Sequence, residues 1–316
     1  MKTFEEFYEF YRTHLLTDLT QLEEKRAQTA QKVKNILIPY AVVAAVLIWL
    51  CVGYGDAVFW VGTLLFLIGF GIYYSLTKAY VSDFKDVVIE RLVKFLDSNL
   101  QYSKTGYIPS GEFHKSKIFL HRADSYEGDD LVSGRLGQTE VRFSELIAQY
   151  ETRDSKGRRS YHTFFKGLFF IADFNKNFRG QTFVLTDTSE RMFGGLGQML
   201  QKMNLSRPEL IKMEDPDFER HYVVYGTDQI ESRYILSTSL MKRIMDFKQK
   251  TNRNIQLSFV DSNVYLAIPY TKNLFEPNVF QTLLDMTPIQ AYFEDLQLAT
   301  GIVDDLNLNL RIWSKG

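Results

Sequence analysis

The sequence predicts an α+β membrane protein in three parts: an N-terminal transmembrane helical hairpin, a cytoplasmic helical stalk and a mainly antiparallel α+β cytoplasmic domain. Three patterns carry this reading. Residues 35–55 and 57–77 are two runs of 21 uncharged positions with only Asp56 between them. Apolar residues at helical spacing flank the pair, and after residue 107 the chain turns to short alternating runs bounded by turn residues. The expected limits are 1–34 for a cytoplasmic amphipathic helix, 35–77 for the hairpin, 78–106 for a second stalk helix and 107–316 for the cytoplasmic domain. Two halves of that domain would meet near 206–209 (Ser-Arg-Pro-Glu).

Composition narrows the classes. A chain of 316 residues can bury a sizeable core. With 37 Lys+Arg against 38 Asp+Glu, nucleic-acid binding through bulk charge is excluded, and no nucleic-acid partner is expected. A hydrophobic share of 45% excludes a disordered acidic chain. Cys51 stands alone, so there is no intramolecular disulfide and no cysteine zinc site.

The elements follow in order. Phe4, Phe7, Tyr8, Tyr11, Leu15, Leu19 and Leu22 form a stripe three or four residues apart, and six bases balance six acids over residues 1–34. That balance argues against a helix lying flat on a membrane, and the acidic lead is unlike a secretory signal. Each uncharged run spans about 30 Å as a helix, the thickness of a hydrocarbon core. The turn Gly53-Tyr54-Gly55-Asp56 makes the two helices antiparallel neighbours. Ala41, Ala44, Ala45, Gly62 and Gly69 are expected to allow close approach, and Pro39 to sit in the first helical turn of its span. Lys25, Arg26, Lys32, Lys34, Lys78 and Lys85 flank the pair while the turn has no base, which predicts cytoplasmic termini. Phe84, Val87, Val88, Leu92, Phe95, Leu96 and Leu100 repeat the stripe, and residues whose numbers sum to about 112 should lie level across the stalk.

Beyond 107 the pattern predicts a hairpin of 132–136 and 139–150 around Gly137, strands at 161–173, 182–185, 210–213 and 221–225, and a helix over 189–203. A helix over 228–251, a hairpin of 255–259 and 264–268, and a last helix over 288–306 complete the domain.

The runs FSELIAQYETRDSKGRRSYHTFFKGLFFIADFNKNF (143–178) and EDPDFERHYVVYGTDQIESRYILSTSLM (214–241) resemble a family of uncharacterised bacterial two-span membrane proteins, domain of unknown function 3137. The resemblance extends over most of residues 60–300. It implies a bacterial inner (plasma) membrane protein with a cytoplasmic globular domain, and carries no activity, cofactor or catalytic residue.

The search for chemistry is largely negative. His14, His114, His121, His162 and His221 lack helical metal-ligand spacing, and Phe193-Gly194-Gly195-Leu196-Gly197 lacks the remaining signature of a phosphate loop. No catalytic, cofactor-binding or metal-ligating residue is assigned, and no cofactor is expected. Four carboxylates in Glu214-Asp215-Pro216-Asp217-Phe218-Glu219 suggest a cation or acid–base site, against a structural acidic turn. The structural reading is preferred: Asp228 caps a helix with Glu231 as its companion, and Arg233 reaches back to Glu214 and Asp215 in an ion-pair network. The basic loop Arg153–Ser160 holds Lys156, Arg158 and Arg159 as candidates for lipid or partner contact.

The expected function is a membrane-anchored, non-enzymatic binding or scaffold protein whose cytoplasmic domain recognises a protein partner or a lipid headgroup. A metal-dependent enzyme using residues 214–219 is the first alternative and an oligomeric channel component the second. The bilayer and a protein partner are the expected associates, and homo-oligomerisation is left open.

Overall fold

The computed structural model describes residues 2–119, 121–174, 178–186 and 209–309. The helix expected over 189–203, the glycine turn 193–197 and most of the junction at 206–209 lie outside them. The chain forms two compact units. One contains Lys2–Phe95 with Phe275–Glu294, the other Leu96–Leu274 with Asp295–Gly316.

The first unit is built on helices α1 (Phe4–Leu50) and α2 (Ala57–Leu96), both long and apolar enough to cross a membrane. Thr3 opens α1 with a capping box closed by Glu6. The stalk stripe buries Phe7, Tyr11, Leu15, Leu19 and Leu22 on α1, and Tyr80, Phe84, Val88 and Leu92 on α2. Most of these steps are four residues, which lags behind a 3.6-residue turn. A wider π-helical turn in each stripe, Tyr11–Leu15 and Lys85–Ile89, absorbs the lag and keeps the stripe facing inward.

The cross-pairs run several residues short of the expected level sum. Phe10 stacks on Phe95 at 4.3 Å, Arg91 pairs with Asp18, Lys25 with Asp83 at 3.0 Å, and the Tyr40 hydroxyl donates to the Leu65 carbonyl. The helices reverse between Leu50 and Ala57, so the centre of the hairpin lies nearer the N-terminus than Asp56. Pro39 is interior to a continuous helix rather than in a first turn, because the polar lead and the apolar run are one helix. Of the small residues, Ala44 is buried and a Cβ on Gly69 would meet the Tyr40 ring at 2.9 Å, whereas Gly62 faces open space and Ala41 and Ala45 are exposed.

Residues 275–294 complete this unit, a role the stripes alone do not reveal. Phe293 stacks on Phe7 at 4.3 Å and Tyr292 meets Phe84 edge-on at 5.4 Å. Lys85 pairs with Glu276 at 2.7 Å. The Glu23 carboxylate accepts from Arg26, from the Thr282 hydroxyl and from the Leu283 amide, while Arg26 also donates to the Val279 carbonyl. Hydrogen bonding from Arg26, foremost, holds the Glu23 carboxyl below its ordinary range.

The second unit begins earlier than expected. Helix α2 stops at Leu96 because Asp97-Ser98-Asn99 makes a turn, with the Asn99 amide on the Asp97 carboxylate at 2.8 Å. Residues 101–103 are then strand β1 rather than stalk helix. A short helix α3 (Ser110–Lys115) and strands β2 (Ser125–Leu136), β3 (Thr139–Arg153), β4 (Arg159–Asp173), β5 (Thr182–Thr186) and β6 (Glu209–Ile211) follow. Helix α4 (Pro216–Glu219), strand β7 (Tyr222–Gly226), helices α5 (Gln229–Ile235) and α6 (Thr238–Thr251), strands β8 (Gln256–Val260) and β9 (Asn263–Pro269) and helix α7 (Met286–Asp305) complete the chain. The helix expected over 228–251 is two, because Ser237 takes the Leu240 amide and starts a second helix.

Among the described residues the strands make one sheet of nine, in the order β1-β2-β3-β4-β9-β8-β5-β7-β6, antiparallel at every pairing. Gly137 takes positive φ in the two-residue β2–β3 turn, and Asp261-Ser262 do the same between β8 and β9. Phe113, Phe119, Phe165, Phe169, Phe183 and Tyr265 centre the core on one sheet face.

Candidate functional site

Strands β3 and β4 stay paired out to Arg153–Arg159, well past the last β9 partner of β4, Gly167. This arm carries the basic loop predicted from sequence. The Asp154 carboxylate builds its turn by accepting from the amides of Lys156 and Arg158, both at 2.9 Å, and from the Arg158 guanidinium at 2.7 Å. Gly157 supplies the positive φ the turn requires. On the strands, Glu151 accepts from Arg153 at 2.7 Å and faces Arg159 at 3.6 Å. These bonds, the Arg158 amide and the Arg153 guanidinium first in each case, hold Asp154 and Glu151 below the ordinary carboxylate range. Arg158 is paired with Asp154, while Arg153 and Arg159 share Glu151, so two carboxylates face three guanidinium groups; of the loop's four bases, Lys156 has no ion pair among the described residues. A stack of His121, Tyr150 and His162, with ring separations of 4.4 and 5.3 Å, runs along the base of the arm.

The acidic turn is engaged in local capping. Asp215 accepts from the Asp217 and Phe218 amides at the start of α4, and Glu219 accepts from the Met213 amide at 2.7 Å. Asp217 pairs with Arg220 at 2.9 Å, and Glu214 is exposed. Asp228 caps α5 through the Ile230 and Glu231 amides, while Glu231 accepts from the amides of Arg179 and Gly180. Arg233 donates to the Lys212 carbonyl. Among the described residues Arg233 makes no ion pair with Glu214, Asp215, Asp228 or Glu231. Of these carboxylates Asp215, Asp228 and Glu231 accept from main-chain amides, a task that needs no charged partner.

Sequence reading misses a different carboxylate group. The bulge of β2 between Asp129 and Val132 puts Asp130 at φ 57, and Glu145 lies opposite Asp129 on β3. Oxygens of the three lie within 4.8 Å of one another, with Asp130 and Glu145 buried. Such oxygens are the donors a divalent cation takes. The two buried ones are already engaged, Asp130 by the Tyr102 hydroxyl and Glu145 by the Leu274 amide. Adjacent aspartates were the only linear signal, since Glu145 arrives through strand pairing. Among the described residues no histidine joins this group.

A family model described as "Protein of unknown function (DUF3137)" matches residues 163–308. The match supports the resemblance read from residues 214–241 and covers less than the 60–300 expected, leaving out both long helices and the arm's turn. No curated protein matches the chain. Among solved structures, it is similar to the crystal structure of the mycobacterial trehalose monomycolate transport factor A, TtfA. The identity is 10% and the TM-score 0.32, over 66% of this chain and 95% of that chain.

Proposed function

We propose that this chain is a membrane-anchored, non-enzymatic binding or scaffold protein of the bacterial inner membrane, with both termini cytoplasmic. One observation carries the anchor. The apolar stretches of α1 and α2 are only 6% and 0% buried, and Trp49, Phe59, Trp60 and Phe66 are each 68–72% exposed. Contiguous apolar surface of this extent aggregates in water and is at no disadvantage in hydrocarbon. Bases before and after the pair, and none in its turn, favour cytoplasmic ends.

The binding role rests on the projecting arm, whose uncompensated Lys156 is presented to a partner or an anionic leaflet. The enzymatic alternative loses support, because of the four carboxylates at 214–219 Asp215 is a helix cap, Glu219 a main-chain acceptor and Asp217 the partner of Arg220. A reporter active only outside the cytoplasm, fused after Gly316, should be silent, and activity there would refute the topology. For the binding role, detergent-solubilised chain should retain a specific protein or lipid that the Lys156, Arg158 and Arg159 triple serine variant loses, as read by mass spectrometry. Retention of the same set by both would refute the arm's part in it.

A further inference from the structure

Helix α6 ends at Thr251, and Asn252 turns the chain through a left-handed residue, φ 50, folding 252–254 back beside the last helical turns. His221, just before β7, closes a third side. The hollow between them, about 400 Å³, is lined by His221, Lys248, Gln249, Asn252, Arg253 and Asn254, with Asp246 also on its wall. That volume is at the small end of ligand sites.

The cations here are placed differently from those nearby. Lys250, on the same helix, is matched by Asp305 at 2.6 Å. Lys248 instead has its ammonium 2.9 Å from His221 Nδ1 and 5.5 Å from the Tyr222 ring centre. Among the described residues no carboxylate pairs with it. An ammonium donating to Nδ1 selects the imidazole tautomer with its hydrogen on Nε2, so the histidine becomes a donor too. Arg253 has its guanidinium carbon over Tyr270, 3.7 Å from the ring centre, and spends one donor on the Pro269 carbonyl. A guanidinium so placed is planar and multidentate, the geometry that suits oxyanions. Burial pushes the Lys248 ammonium below the ordinary lysine range.

We propose that this hollow binds a phosphate-class anion through Lys248, His221 and Arg253. The chemistry is shared by a free phosphorylated molecule and an anionic phospholipid headgroup. The site stands independently of the membrane reading. The carbonyl end of α6 and Asp246 oppose an anion, so Lys248 is indispensable and the affinity modest.

The test is equilibrium dialysis of radiolabelled inorganic phosphate against the full chain in detergent micelles, with chloride holding ionic strength constant. Saturable binding is expected, weakened at least about tenfold by Lys248→Gln, the loss of one charge-assisted hydrogen bond. His221→Ala, at an exposed position that the fold tolerates, should also weaken it. Lys242→Gln, an exposed lysine outside the hollow, should leave it unchanged. Binding should fall with rising pH earlier than an ordinary lysine would require. In nanodiscs, displacement of the label by phosphatidic acid assigns the headgroup, and its survival assigns a free phosphate. Absence of saturable binding, or equal weakening by Lys242→Gln and Lys248→Gln, would overturn the proposal.

Discussion

Helices α1 and α2 each pass through two regimes, and the same residue types behave oppositely in them. In the stalk, Leu15, Leu19, Phe84 and Leu92 are fully buried, and charged residues hold defined partners, as Arg91 does on Asp18 and Lys85 on Glu276. In the apolar halves the large side chains face outward. There the polar atoms are satisfied at short range: Thr63 on the carbonyl of Phe59, Thr77 on that of Tyr73, and Tyr40 across to Leu65. Helical geometry is common to both, so what differs is where the apolar side chains go, inward in the stalk and outward in the apolar halves. Stalk specificity comes from apolar burial, and that of the spans from close approach and internal hydrogen bonding.

The contrast can be broken by substitution. Leu19→Asp buries a charge in the stalk without a partner and should lower stability by about 3 kcal/mol or more, seen as earlier thermal unfolding in detergent. Melting like the parent would mean the stripe is not a core. Glu23→Ala strands the Leu283 amide and the Arg26 guanidinium and should cost about 2 kcal/mol.

The same glutamate gives the contrast a pH signature. Its folded carboxyl titrates below the usual 4.5, so its contribution is complete above that value and is lost as pH falls through the lowered one. Melting followed from neutral to acid should show this loss in the parent, and less of it in Glu23→Ala.

In the spans, Gly69→Val drives a side chain into the Tyr40 ring and should cost about 1–3 kcal/mol, whereas Gly62→Val, facing open space, should be nearly neutral. Equal effects would show that close approach at Gly69 is not what joins the helices. The smallest effect belongs to the arm. Replacing Lys156, Arg158 and Arg159 with serine should change stability by no more than about 0.5 kcal/mol, checked by the same melts.

What the sequence discloses follows the range of the interaction. The apolar runs, the alternation of β3 and β4 and the turns at Gly137 and Asp261-Ser262 are encoded within a few residues and are legible. The stop at Asp97 and the restart at Ser237 are also local, but apolar periodicity continues across both and masks them. The packing of 275–294 on the helices, the pairing of Glu145 with the two aspartates and the hollow around Lys248 are made by residues distant in sequence. For these no linear pattern exists, since Lys248 and His221 look like any exposed pair until β7 places them together. At the acidic turn the preferred structural reading expected ion pairs to Arg233, whereas Asp215, Asp228 and Glu231 accept from main-chain amides, partners that a linear pattern of charges does not reveal.

Residues 275–294 supply Phe275, Val279, Leu283, Ile289 and Phe293, all buried, to a unit whose helices end before residue 97. Translation runs from the N-terminus, so α1 and α2 leave the ribosome long before their covering segment exists. Through that interval Phe7 and Phe84 lack the ring partners they have in the finished protein, Phe293 stacked and Tyr292 edge-on. The apolar helices are therefore made first and the stalk finished last. A nascent chain halted before residue 275 would carry its apolar helix pair complete and its stalk uncovered, a substrate for chaperones rather than a shorter working protein.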